Sequence, residues 1–193
     1  MKMKDRTKYM YAEELETMLK TTAFDDIRVT QLAKRCGASP QSFYYHFKDK
    51  YELAAWIFIQ DTTEIMSRHI GTYSSDEVRE LNERMTSRKT LYRKLFSDKS
   101  QNNIEAFIHK FNMEYSIQAV KKHFKVEALD EKQLLAVKYH SYGIVGLLID
   151  WIFERTPTDI YTLSEFQYDR TPDFMKESFE NFGDISVIWD KIM

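Results

Sequence analysis

Residues 39–50 read SPQSFYYHFKDK. Ser39 has the chemistry of a helix N-cap, and Pro40 suits the first helical position, where a missing N–H costs nothing. The pattern predicts a helix from Pro40 to about Phe47. At the usual rise, such a helix is roughly 12 Å long. Phe43 and Phe47 are four residues apart and share one face, which is apolar and turns inward. The other faces carry Gln41, Tyr44, Tyr45 and His46, which a stability argument does not need. Upstream, Thr30 is the expected cap of a short helix, Gln31 to Cys36, burying Leu32, Ala33 and Cys36. Gly37 then fits the C′ position that requires positive φ. Downstream, Asp49 and Glu52 form a capping-box pair that starts a helix from Lys50 to about Ile70. Two short helices joined by GAS inside a three-helix unit describe a helix–turn–helix. The second is long enough to cross a DNA major groove, about 12 Å wide.

The remaining chain also reads as helical. It has 193 residues, 43% of them hydrophobic, with five glycines and three prolines, few for a β-rich fold. The fold class expected is all-α: a DNA-binding domain over 1–48, then a helical regulatory and dimerisation domain over 49–193. A first helix is expected over 4–21. Ser75 caps another. Ser100 caps one running to about Phe124, with Ile104, Phe107, Ile108, Phe111 and Tyr115 on one stripe. Asp130 and Gln133 pair at the start of a helix reaching about Glu154. From Tyr142 to Phe153 it is apolar nearly all round, so it calls for cover on several sides. Thr156–Pro157 ends it, and Thr171–Pro172 starts a last helix with Phe174, Met175, Phe179, Phe182 and Trp189 inward. Residues 155–171 are longer than a simple turn, which leaves a lid, an extra helix or a dimer arm as readings.

Charge and motif content narrow the function. Net charge is −2. Residues 1–60 hold 10 Lys and Arg against 8 Asp and Glu, and the remainder 18 against 22. The positive balance of the first part has the sign expected of a DNA-binding unit. A single cysteine, Cys36, fits a reducing cytoplasm and reads as a small buried hydrophobe. The start carries no apolar signal region. The longest apolar run, YGIVGLLIDWIF, is too short to span a bilayer and contains Asp150. His69, His109, His123 and His140 are scattered without a metal-binding signature, and no nucleophile motif, phosphate loop or dinucleotide fingerprint occurs. Neither enzyme activity, cofactor nor metal is expected.

The stretch FDDIRVTQLAKRCGASPQSFYYHFKDKYELAAWIF resembles the N-terminal region of TetR/AcrR-type transcriptional regulators. Ile27, Val29, Leu32, Ala33, Gly37, Ser39, Tyr44, His46, Phe47, Lys50 and Leu53 carry the likeness. QSFYYHFKDKYELAAWIF, LYRKLFSDKSQNNIEAFI and YGIVGLLIDWI are most similar to the branch of dihydroxyacetone-kinase regulators. The resemblance implies phosphate contacts from Ser42, Tyr44 and Lys50. It implies base reading by Pro40, Gln41 and Tyr45, with His46 nearby and Thr30 at the start of the preceding helix. Residue chemistry agrees, since Gln bonds adenine bidentately and a tyrosine ring can touch a thymine methyl. Tyr44 as a partly buried core residue, and His46 as a group that holds the loop, remain open readings.

The resemblance also implies a homodimer on a near-palindromic operator in a bacterial cytoplasm, acting as repressor or activator. Gly143, Gly146, Leu147, Trp151, Phe179 and Phe182 are the dimer-interface candidates. Relatives often bind a small effector among their middle helices. Phe96, Phe107, Phe111, Tyr115, Tyr139 and His140 are the candidate lining, with a partner protein as the other possible input. The rival reading is an adaptor that keeps this fold but has lost operator binding.

Overall fold

The structure, a computed structural model, describes residues 3–100, 103–183 and 185–192. Among the described residues every regular element is a helix. In chain order these are α1 (Met3–Leu19), α2 (Val29–Arg35), α3 (Pro40–Tyr44), α4 (Lys50–Met66), α5 (Ser75–Ser87) and α6 (Lys89–Phe96). They continue with α7 (Ile104–Phe124), α8 (Glu131–Ile152), α9 (Ile160–Asp169), α10 (Asp173–Glu180) and α11 (Ser186–Ile192). The all-α expectation holds. The helix expected after Ser100 is α7, which starts at Ile104; residues 101–102 lie outside the described residues.

The chain forms two compact units, residues 1–60 with 88–104, and residues 61–87 with 105–193. The first therefore takes in more than the opening 48 residues. Tyr9 packs edge-on against Trp56 of α4, with ring centroids 5.0 Å apart, and donates its hydroxyl to Gln60 at 3.1 Å. Arg88, at the start of α6, returns to α1 and pairs with Glu16 at 2.7 Å. The interior of this unit holds Tyr11, Leu15, Leu19, Leu32, Ala33, Phe43, Phe47, Leu53 and Ile57, all essentially inaccessible. Burying each phenylalanine contributes roughly 1.5–3 kcal/mol.

The helix–turn–helix signals act locally as their chemistry dictates. Gly37 adopts φ +65°, its amide bonds Lys34 O at 3.0 Å, and Ala38 N bonds Ala33 O at 2.9 Å. This pair of bonds closes α2 as a Schellman motif. Ser39 Oγ accepts from Ser42 N at 3.3 Å, and Pro40 occupies the first position of α3. Asp49 caps α4 by accepting from Glu52 N at 2.8 Å, while Glu52 reaches back to Lys48 N. The cap of α2 differs from expectation. Arg28 is its N-cap, and Gln31 Oε1 accepts from Arg28 N at 3.2 Å, so Thr30 lies inside the first turn.

In the second unit Val120, Leu129, Val137 and Met175 form a core from α7, α8 and α10. Helix α5 lies along α9. At their contact Asn82 Nδ2 donates to Ser164 Oγ at 3.0 Å and to Gln167 Oε1 at 2.8 Å, all three residues being buried. The 155–171 segment is thus an extra helix rather than a loop. Asp159 caps it through the amides of Tyr161 and Thr162, and Trp151 Nε1 ties the approach by donating to Thr158 O at 3.0 Å. Helix α8 buries Val137, Ser141, Val145, Leu148 and Ile152. It is not covered all round: Leu135, Tyr139, Tyr142, Gly143 and Gly146 lie exposed on one stripe. The expected last helix is two, α10 and α11.

Candidate nucleic-acid interface and a buried polar cluster

Helix α3 separates anchors from presented groups. Phe43 is inaccessible and Phe47 nearly so, with Phe43 edge-on to Tyr11 at 5.1 Å. With those two rings fixed behind the helix, Tyr44 and Tyr45 point outward at 56% and 74% exposure. Tyr44 is therefore not a core residue. Gln41 and Thr30 are exposed too, and Pro40 and Ser42 half-exposed. His46 is half-buried, edge-on to Tyr45 at 5.1 Å. Lys48 follows directly and is exposed, as are Arg28 and Lys34 on the flanking segments. These three cations were missed in sequence, where a lone basic residue carries no signal.

Lys50 has a second occupation. Its ammonium donates to the carbonyls of Phe24, Asp25 and Ile27 at 2.7, 2.9 and 3.1 Å, closing the α1–α2 loop onto the start of α4. It also sits 4.8 Å from the Phe24 ring centroid. Burial pulls its pKa below the ordinary lysine value, against the nearby carboxylates of Asp25 and Asp98. Cys36 is half-buried with its thiol toward Met10 O at 3.8 Å, and burial pushes it up to about 11, so it stays a thiol.

The candidate effector residues do not gather in one place. Phe96 belongs to the first unit, packed on Tyr92, whereas the others lie in the second. Tyr139 is 82% exposed on α8. Phe107 packs against Trp189 at 6.2 Å. Tyr115 and His140 instead meet residues that the sequence reading placed at the dimer interface. Tyr115 donates to Phe182 O at 2.5 Å and packs on Phe179 and Phe182 at 5.4 and 5.0 Å. Phe182 is buried there, and Phe179 half-buried between Tyr73, Tyr115 and His140. Gly143, Gly146 and Leu147 stay on or beside the open stripe of α8, with Trp151 half-buried near its end.

Around Phe179 the polar groups are paired. Thr171 donates to Gln167 O at 3.0 Å, so the contacts from Tyr73 OH at 3.2 Å and His140 Nε2 at 3.0 Å make those groups the donors. Burial lowers the His140 pKa to about 4, which keeps the ring neutral. Burial likewise raises the phenols of Tyr73 and Tyr115. Glu77 of α5 is 6% exposed, and its charge helps raise the pKa of both phenols. Burial, then repulsion from Glu80, pushes its pKa up to about 8.

Among the described residues no group of three or more His, Cys, Asp or Glu is arranged to hold a metal ion. No described helix is long and apolar enough to cross a membrane.

Comparison with known proteins bears on both units. A family model described as "Bacterial regulatory proteins, tetR family" matches residues 16–56, and one described as "Transcriptional regulator C-terminal region" matches residues 74–168. A solved structure titled "Dihydroxyacetone kinase operon activator DhaS" shares the fold over 96% of each chain, with TM-score 0.56 and 17% identity. No curated protein matches in sequence.

Glu77 generates a pH test. Its folded pKa lies above the ordinary 4.5, so the folded chain keeps a proton that the unfolded chain loses. Its contribution to stability falls as pH rises from about 4.5 to about 8. His140 acts oppositely, its depressed pKa costing stability as pH falls below 6.5. The readout is therefore the difference in melting temperature between Glu77→Gln and the parent. It should grow in the variant's favour from pH 4.5 to 8, reaching roughly several degrees. A difference that is flat with pH contradicts the assignment.

Proposed function

The chain belongs to the TetR family of transcriptional regulators and is not an enzyme, and from that premise we propose that it reads a near-palindromic operator as a homodimer in the cytoplasm. The observation that carries this reading is the outward face of α3, where Gln41, Tyr44 and Tyr45 stand exposed over a buried phenylalanine pair. Pro40, Gln41 and Tyr45 face base edges, with His46 and Thr30 at the margins of the contact. Ser42, Tyr44 and Lys50 meet phosphates, with Lys50 turning part of its ammonium from the loop carbonyls to do so. Residues 1–48, with Lys50 just beyond them, supply the DNA contacts, and the rest of residues 49–193 supplies dimerisation and control.

Dimerisation uses the open stripe of α8. Tyr139, Tyr142, Gly143 and Gly146 recur at helical spacing, and the two glycines have no atom within 4 Å of where a Cβ would stand. Such a surface suits close approach of the same helix from a second copy. Control enters through the second unit, and the cluster around Phe179 is the regulatory site favoured by its buried polar groups. DhaS, by its title an operon activator, is a fitting parallel in fold for a regulator that switches genes on or off.

Two measurements test this. Operator-binding titrations on cognate and scrambled duplexes should show Gln41→Ala losing about 1–3 kcal/mol on the operator and little on scrambled DNA. Lys50→Ala should weaken both alike and flatten the salt dependence. Equal losses for Gln41→Ala on the two duplexes would place α3 in the wrong register. The second is light scattering on Gly146→Leu. Open space at the site lets each protomer fold, so the variant should be folded by circular dichroism yet monomeric where the parent is dimeric. An unchanged dimer would move the interface off α8.

A further inference from the structure

The ring behind α3 carries a hydroxyl with nothing to bond. Tyr11 of α1 is wholly inaccessible, and among the described residues no group hydrogen-bonds its hydroxyl. A phenylalanine would close over Phe43 equally well, edge-on at 5.1 Å, without burying a polar atom. Leaving a buried donor unmet is costly, and packing does not repay it. A hydroxyl kept at that cost calls for a bond made in another state of the protein.

The neighbouring rings say which bond. His46 stands beside Tyr11, with centroids 6.4 Å apart and planes tilted by 56°. Of the two rings, Phe43 offers a hydroxyl nothing, whereas the imidazole offers a nitrogen. That nitrogen lies on the inner side: His46 Nδ1 is sealed from solvent, although the residue as a whole is half-buried. The main chain of His46 is fixed by its amide, which donates to Phe43 O at 2.9 Å. The ring can therefore turn about its side-chain bonds without disturbing the backbone. The imidazole also meets Tyr45 edge-on at 5.1 Å, and Tyr45 is 74% exposed. Tyr11, His46 and Tyr45 thus form a run of rings from the core of the first unit to the surface that α3 presents.

We propose that Tyr11 is a positioning residue for operator reading and acts through His46. As the duplex closes over Tyr45 and His46, the imidazole settles inward and its Nδ1 accepts the Tyr11 hydroxyl. A neutral imidazole bears one N–H, so an accepting Nδ1 fixes that hydrogen on Nε2. Nε2–H is then held as a donor to the acceptors of the duplex. The free protein leaves the hydroxyl unmet and the complex satisfies it, so the bond contributes to binding and not to folding. This rests on the reading of α3 as the helix that meets DNA.

The test uses the full chain and a duplex that the parent protein selects from a random-sequence pool. Tyr11→Phe removes the oxygen and little else. Without DNA its melting temperature should equal or exceed the parent's, because the free protein loses no bond. Its affinity for the selected duplex should fall roughly threefold to tenfold, the worth of one neutral hydrogen bond. In a His46→Ala background the same change should cost nothing further, since the acceptor is gone. Nitrogen NMR of His46 in the parent complex should show Nε2 protonated and Nδ1 accepting a hydrogen bond. In the Tyr11→Phe complex the signature of that bond should be lost. The proposal is overturned if the loss of affinity persists in the His46→Ala background, or if His46 in the parent complex carries its proton on Nδ1. It is equally overturned if Tyr11→Phe melts below the parent, which would place the hydroxyl in a bond of the free protein. A parent that selects no duplex would defeat the DNA-reading proposal and this one with it. A parent that binds, with Tyr11→Phe binding equally well, would defeat this one alone.

Discussion

Everything the first unit presents outward depends on two rings held inward. Phe43 and Phe47 leave α3 no freedom to roll, because rotating the helix would expose both and forfeit roughly 1.5–3 kcal/mol for each. Tyr11 closes over Phe43 from α1, and Trp56 meets Phe47 from α4, with centroids 5.8 Å apart. A helix of five residues has almost no stability of its own. Its direction is set by these contacts, by the Schellman closure at Gly37 and by the cap at Ser39. Lys50 adds a third constraint by gathering three carbonyls of the α1–α2 loop. A rigid backing with a polar aromatic face is what a groove-reading element requires.

The second unit is organised differently. Its buried polar groups form closed pairs, as in Asn82 with Ser164 and Gln167, or Thr171 with Tyr73 and His140. Such pairs specify one packing of α5 on α9, because sliding either helix would strand a buried donor. Against that background the exposed stripe of α8, Leu135, Tyr139 and Tyr142 with Gly143 and Gly146, stands out. The second copy proposed above would cover it.

Local chemistry was legible where it acts locally. Gly37, Ser39–Pro40 and Asp130–Gln133 each closed or opened a helix where their residue types require it. Phe43 and Phe47 turn inward as their four-residue spacing predicts, although α3 ends at Tyr44, three residues short of the expected Phe47. Thr30 misled because Arg28 and Gln31 provide an equivalent start two residues earlier, through a backbone amide rather than a hydroxyl. Helix α9 stayed one of three readings of 155–171 because its buried face is Leu163, Ser164 and Gln167, mostly polar, and carries no apolar stripe. The aromatic residues of the second half could not be sorted by spacing. Tyr139 and His140 are neighbours in sequence, yet one is solvent-facing and the other half-buried against Phe179, and only the path of α8 against α10 decides which. Glu77 was unreadable in principle, since its sequence context announces a helix cap.

The central claim is that α3 meets DNA with its tyrosines while its phenylalanines stay behind. Nuclear magnetic resonance of the ring protons in Tyr44, Tyr45, Phe43 and Phe47, with and without an operator half-site duplex, tests it most directly. The account predicts that the two tyrosine rings shift and broaden on binding while the two phenylalanine rings keep their positions. Tyrosine rings that remain unmoved in a saturated complex would contradict it.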